Sequence, residues 1–227
     1  MTITPASLTR AAGAAAAAAG AIFIGVQIGH PQLNATSVVT TNVEVRDTLK
    51  VVMAALALVG ITGMYLSQVR RNGRLGLLGY LLLSVFYLIS LGTSFVAAFV
   101  LPSIAETSTR YVNDVTAIAT SRSSTGDIGT LHTVFQVQGF GYLAGGLIFG
   151  IALYRAGVLA RWATVLLAVG GVVTVALSVM PDAFFRLLAF PNGIAMIGLG
   201  VSLWRSTRQA TVPATASVEP ALEAPVR

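Results

Sequence analysis

At 227 residues, with a mean hydropathy of +0.81, 55% hydrophobic residues and only 10% charged, the chain is too apolar for a single water-soluble core. It has no cysteine, which excludes disulfides, thiolate metal sites and thiol redox chemistry. A net charge of +6 and a pI near 10.3 would suggest a polyanionic partner in a soluble protein, but the basic residues here sit beside apolar runs. Topology explains them, and nucleic acid is excluded as the expected partner.

Six runs are long enough to cross a hydrocarbon layer of about 30 Å, which takes roughly 20 helical residues. They lie at 11–29, 51–69, 75–101, 131–154, 158–180 and 183–204. None alternates like a barrel strand, so the expected fold is an all-α, polytopic membrane bundle of six transmembrane helices.

The first run follows Arg10 and contains alanines at 14–19, a pattern shared with secretory signals. No small-x-small cleavage site follows in GHPQLNA (29–35), so we read an uncleaved helix that packs closely against its neighbours. The loop after it, 30–50, is polar and β-branched. The turn RRNGR then closes a hairpin, with Gly73 available where the backbone leaves the helix. The third run is the longest. The segment 102–130 is rich in Ser and Thr but carries Tyr111, Val115 and Ile118 at helical spacing, which predicts a short surface helix over the outer mouth of the bundle.

The fourth run holds Gly141 with Gly145 and Gly146 with Gly150, small residues four apart that call for a close helix crossing. We expect it to pack within the chain against the Ala-rich first helix; a homodimer through this span is the alternative. The turn YRAGVLAR, with Gly157, closes a second hairpin, and Pro191-Asn192-Gly193 predicts a kink inside the sixth run. From Ser206 the chain has no apolar stripe, and 206–227 reads as a disordered cytoplasmic tail.

Of the 14 basic residues, nine flank one set of span ends: Arg10, Arg70, Arg71, Arg74, Arg155, Arg161, Arg205, Arg208 and Arg227. The opposite ends mix Arg46, Lys50, Arg110, Arg122 and Arg186 with Glu44, Asp47, Glu106, Asp114, Asp127 and Asp182, and are nearly neutral. The positive-inside rule then places both termini in the cytoplasm, with Tyr154, Trp162 and Trp204 at the inner interface. Thirteen arginines against one lysine, with abundant Ala, Gly and Val, fit a GC-rich bacterial genome. The expected location is therefore the bacterial cytoplasmic membrane.

RNGRLGLLGYLLLS (from Arg71) and RAGVLARWATVLLA (from Arg155) resemble each other, and both join an inward span to an outward one, as in a parallel repeat of two halves. A short cytoplasmic turn selecting Arg, Gly and Leu explains the likeness equally well. The YRAGVLARW turn, the Gly-rich span beside it and the Arg-initiated small-residue first helix resemble bacterial multi-pass membrane proteins of domain of unknown function 4386; where we expect Pro in that turn, this chain has Ala160. The resemblance implies a fold and transfers no site residues.

Chemistry has few candidates. No span holds an acidic residue near its centre, which argues against a proton-driven transporter. A phosphate loop and an HExxH motif are both missing, Ser94 in GTSF lacks a base, and no cofactor is called for. His30 ends the first span and His132 begins the fourth, with Gln27 and Gln136 one turn deeper. If those helices adjoin, the two histidines with Asp127 or Asp182 form a polar or divalent-metal site, against which stands the lack of closely spaced ligands. We take no metal as the expectation. Thr93 and Ser94 add polarity at the depth of Asn192. The leading expectation is a non-enzymatic module that binds a ligand or partner through His30, His132, Gln136 and Asn192. The alternative is a facilitative transporter with an outward-opening polar cavity.

Overall fold

The computed structural model describes residues 3–178, 187 and 189–209. Every regular element among them is helical. Helix α1 (Pro5–Gln27) starts at a capping box: Thr4 accepts from the Ser7 amide, Ser7 accepts from the Thr4 amide, and Pro5 supplies a preset φ. Helix α2 (Thr41–Leu66) begins ten residues before the apolar run, so Glu44, Arg46, Asp47 and Lys50 belong to a helix and not to a loop. It leads through Ser67 and Gln68 into α3 (Val69–Phe95), and the hairpin turns at Gly73, whose φ of +56° lies in the left-handed region.

The third rod then widens into a π-helical turn, Val96–Val100, before α4 (Leu101–Ile104). Pro102 explains it: proline offers no amide to the preceding turn, and the amide of Leu101 reaches back five residues to the Val96 carbonyl. Helices α5 (Thr109–Ala119), α6 (Thr130–Ala156), α7 (Arg161–Ser178) and α8 (Ala189–Gln209) complete the chain. α6 ends at Gly157, left-handed at φ +67°, as the second hairpin turn requires.

Four rods, Pro5–Gln27, Thr41–Leu66, Val69–Ile104 and Thr130–Ala156, are long and apolar enough to cross a membrane, and Arg161–Val173 is a shorter apolar helix. The outward surface is apolar as well: Leu81 is 50% exposed, Leu88 58% and Phe140 66%. Water would not leave such a face uncovered, whereas lipid tails cover it at no cost.

The helices form a ring in chain order, α1–α2–α3–α6–α7–α8, and α8 closes back onto α1. This corrects the expected pairing of the glycine-rich helix with α1. The glycines of α6 face α3 and α7: a methyl added at Gly145 would stand 2.5 Å from the Leu83 nitrogen, and one at Gly150 would stand 2.7 Å from the nitrogen of Ala168. α1 instead meets α8 backbone to backbone, with Gly13 against the Gly200 carbonyl at 2.7 Å for such a methyl. Two small-residue stripes satisfy each other only where the ring brings them together, and ring closure pairs the first helix with the last. Gly145 and Gly150 of α6 are thus in close contact within the chain.

The arginine-flanked ends gather at one end of the ring. Arg10 Nε donates to Thr207 Oγ1 at 3.0 Å, and the Ala160 amide donates to Ser202 Oγ at 2.9 Å. Tyr154, Trp162 and Trp204 point outward there, with the Arg161 guanidinium 5.4 Å from the Tyr154 ring centroid. α8 continues to Gln209, so the first four residues of the expected tail are helical; the remainder lies outside the described residues. Pro191 falls in the first described turn of α8, and most of the sixth run before it, on which the expected kink depends, lies outside the described residues.

Candidate functional site

The opposite end carries a cap made of residues 28–40 and α5. The expected surface helix is there, turned by one residue from the predicted stripe: Val112 and Val115 are buried and Tyr111 is exposed. Val112, Val115, Ala35, Val38, Leu101 and Ile128 form a small apolar core of their own. Polar contacts lock the cap. The Ala35 amide donates to Asn113 Oδ1 at 2.8 Å, Arg122 Nη2 donates to the Leu33 carbonyl at 2.6 Å, and buried Asp114 accepts from Ser124 Oγ at 2.8 Å. Arg46 Nη1 donates to the carbonyls of Val26 and Ile28, at 2.7 and 2.9 Å, which satisfies the otherwise open C-terminal end of α1.

Beneath the cap, α1, α2, α3, α5 and α6 line a partly open cavity of about 810 Å³. Its walls divide by chemistry. Phe23, Met53, Ile89, Leu101, Val134 and Phe135 supply apolar surface, while Gln27, His30, Asp47, Lys50, Thr120 and Arg122 supply a polar end. The π turn contributes Val96 and Ala97 directly to the wall. At the floor stand Ser90, Thr93 and Gln138, with the Thr93 hydroxyl 3.2 Å from Gln138 Oε1. Ser90 lies roughly 20 Å below the end of the third rod by the helical rise. Deeper still, Tyr87, Tyr142, Leu83 and Phe149 are buried and packed, Tyr142 against Phe86 with centroids 4.6 Å apart.

The polar end is organised by Lys50. Its ammonium donates to Asp47 Oδ1 at 2.6 Å and to His30 Nε2 at 3.1 Å. His30 Nδ1 lies 2.8 Å from the Pro31 carbonyl, so Nδ1 carries the proton and Nε2 is left to accept. Asp47 is 1% exposed. Its partner in the salt bridge, Lys50, stands one helical turn later.

Of the residues expected to form a site, His30 lines this cavity, with Gln27 below it as anticipated. His132 and Gln136 are exposed on α6 and are not in its lining. Asn192 is buried at the contact of α8 with α7, beside Gly170, away from the cavity. Thr93 and Ser94 do line it, without Asn192. α1 and α6 are not ring neighbours, and His30 and His132 accordingly do not share a site. Asp127 accepts from the Gly129 amide at 2.7 Å, Asp182 lies outside the described residues, and no three His, Asp or Glu side chains gather among the described residues.

Asp47, Lys50 and Arg122 were not singled out from the sequence. The i, i+3 spacing of Asp47 and Lys50 at the edge of an apolar run was the available signal. Charges in that position read as flanks until something covers them.

The fold and its cavity fit a multi-pass helical membrane protein. No protein-family model, curated protein or solved structure matches the chain.

Proposed function

We propose that the protein is a six-span membrane protein with both termini in the cytoplasm of a bacterial cell, and that it binds a small amphipathic molecule in the cavity at its outer end. One observation carries the binding reading: a single partly open cavity of about 810 Å³ joins an apolar wall to a charged, hydrogen-bonded polar end. Ligand pockets commonly have this size and this division of labour. Orientation rests on the gathering of arginine ends opposite the cavity. Kinship with the proteins of domain of unknown function 4386 belongs to the same proposal, on the strength of the YRAGVLARW turn.

Two measurements test it. The natural lack of cysteine makes single-cysteine labelling clean: Ser123→Cys should react with an impermeant maleimide added outside intact cells, and Ser7→Cys only after lysis. The opposite pattern reverses the orientation. For binding, Ala97→Trp should fill the cavity and abolish retention of a co-purifying small molecule seen by native mass spectrometry; retention equal to the parent's counts against this cavity.

Facilitative transport is a second reading, supported by the depth of the cavity, which reaches the middle of the third rod. The packed layer of Tyr87, Tyr142 and Phe149 below the floor would then have to open. Solute flux in proteoliposomes that rises in Phe149→Ala favours transport, and binding without flux favours the module.

A further inference from the structure

We propose that the ligand is a single-chain amphiphile with an anionic carboxylate head, held between Arg122 and Lys50, with its tail along the α3–α6 wall. This rests on the reading that the cavity is a ligand site. Three charged side chains line it: Asp47, Lys50 and Arg122. Asp47 and Lys50 cancel each other at 2.6 Å, which is the one ion pair among the described residues. Arg122 is left as an uncompensated positive charge. Its hydrogen bonds go to uncharged acceptors, Nη2 to the Leu33 carbonyl at 2.6 Å and Nε to Thr120 Oγ1 at 2.9 Å.

Both cations keep donors for a ligand. Among the described residues Arg122 donates through Nε and Nη2 and makes no hydrogen bond through Nη1, and the Lys50 ammonium has three protons and two acceptors. A guanidinium in a partly buried, low-dielectric setting attracts a carboxylate more strongly than it would in water, and its planar fork matches two carboxylate oxygens. A cationic head has no comparable receptor. The one carboxylate in the lining uses Oδ1 on Lys50, and its Oδ2 is sealed from solvent contact. The apolar wall, with Ile89, Val96, Leu101, Val134 and Phe135, extends from this polar end and suits a hydrocarbon tail.

Arg122 also ties the ligand to the cap. It hydrogen-bonds Leu33 in the segment 28–40, so a bound head group fixes the side chain that holds that segment down.

The test uses the full chain in nanodiscs and three photoreactive C16 probes of equal length: a carboxylic acid, an alcohol and a primary amine, each with a diazirine in the tail. Cross-links are mapped by peptide mass spectrometry. The acid should label Leu101, Val134 or neighbouring cavity residues about tenfold more than the alcohol or the amine, and Arg122→Gln should remove that preference. Equal labelling by all three probes, or preference for the alcohol or amine, overturns the anionic head and leaves the cavity as a ligand site. No cavity labelling by any probe overturns both. The comparison of heads on the parent chain decides the question even if Arg122→Gln does not fold.

Discussion

Lys50 Nζ lies 2.6 Å from Asp47 Oδ1 on the same helix, yet the two side chains differ in exposure, 21% against 2%. The pair is therefore asymmetric. Lys50→Met strands a buried carboxylate and should cost about 3 kcal/mol, whereas Asp47→Asn leaves an ammonium that still has His30 and partial access to water, at about 1 kcal/mol. Unfolding of both variants in the same detergent measures the difference. Equal losses would show that Asp47 does not depend on Lys50.

Gly150 and Gly139 share α6 but face different surroundings. A methyl at Gly150 meets the Ala168 nitrogen and the Thr164 carbonyl, both at 2.7 Å, and backbone cannot rotate aside. Gly150→Ala should destabilise by about 1 to 3 kcal/mol by forcing α6 from α7. At Gly139 no atom lies within 4 Å, so Gly139→Ala should be neutral or stabilising by up to about 1 kcal/mol through helix propensity. Opposite signs in thermal unfolding are the expected result.

The turn between α6 and α7 depends on a left-handed residue, Gly157 at φ +67° and ψ +18°. Space is open there, so any penalty is conformational. Gly157→Ala should cost about 1 kcal/mol and Gly157→Asn distinctly less, because Asn tolerates that region. The ranking in chemical denaturation checks the assignment.

Asn113 holds the cap through one hydrogen bond to the Ala35 amide. Asn113→Ala should speed exchange of that amide about fivefold, the equivalent of about 1 kcal/mol, while amides in the middle of α2 keep their protection. Hydrogen–deuterium exchange in nanodiscs resolves the two regions, and uniform acceleration would mean that the cap is no separate unit.

Much of the local structure was legible from the chain. Gly73 and Gly157 mark the hairpins because positive φ leaves few other residues available, and the 111–118 spacing reveals α5 because a half-buried helix must repeat its apolar residues every three to four positions. Charge placement separates one end of the bundle from the other, since arginine cannot rest among lipid tails. The site was far less legible. His30 was found because a histidine at the end of an apolar run is conspicuous, but Asp47, Lys50 and Arg122 look like ordinary flanking charges.

An apolar, all-helical chain with its turns, its long rods and its charge asymmetry follows from local sequence, because propensity, hydropathy and φ preference act over a few residues. Tertiary structure alone decided that α1 closes on α8, that the glycines of α6 serve α3 and α7, and that His132 and Gln136 turn away from the cavity. It also decided that Asp47 is buried and that Arg122 shares a cavity with it. These outcomes depend on the rotation of each helix and on which segment folds over which end. Residues distant in the chain meet only through that closure, and hydropathic periodicity contains no record of it.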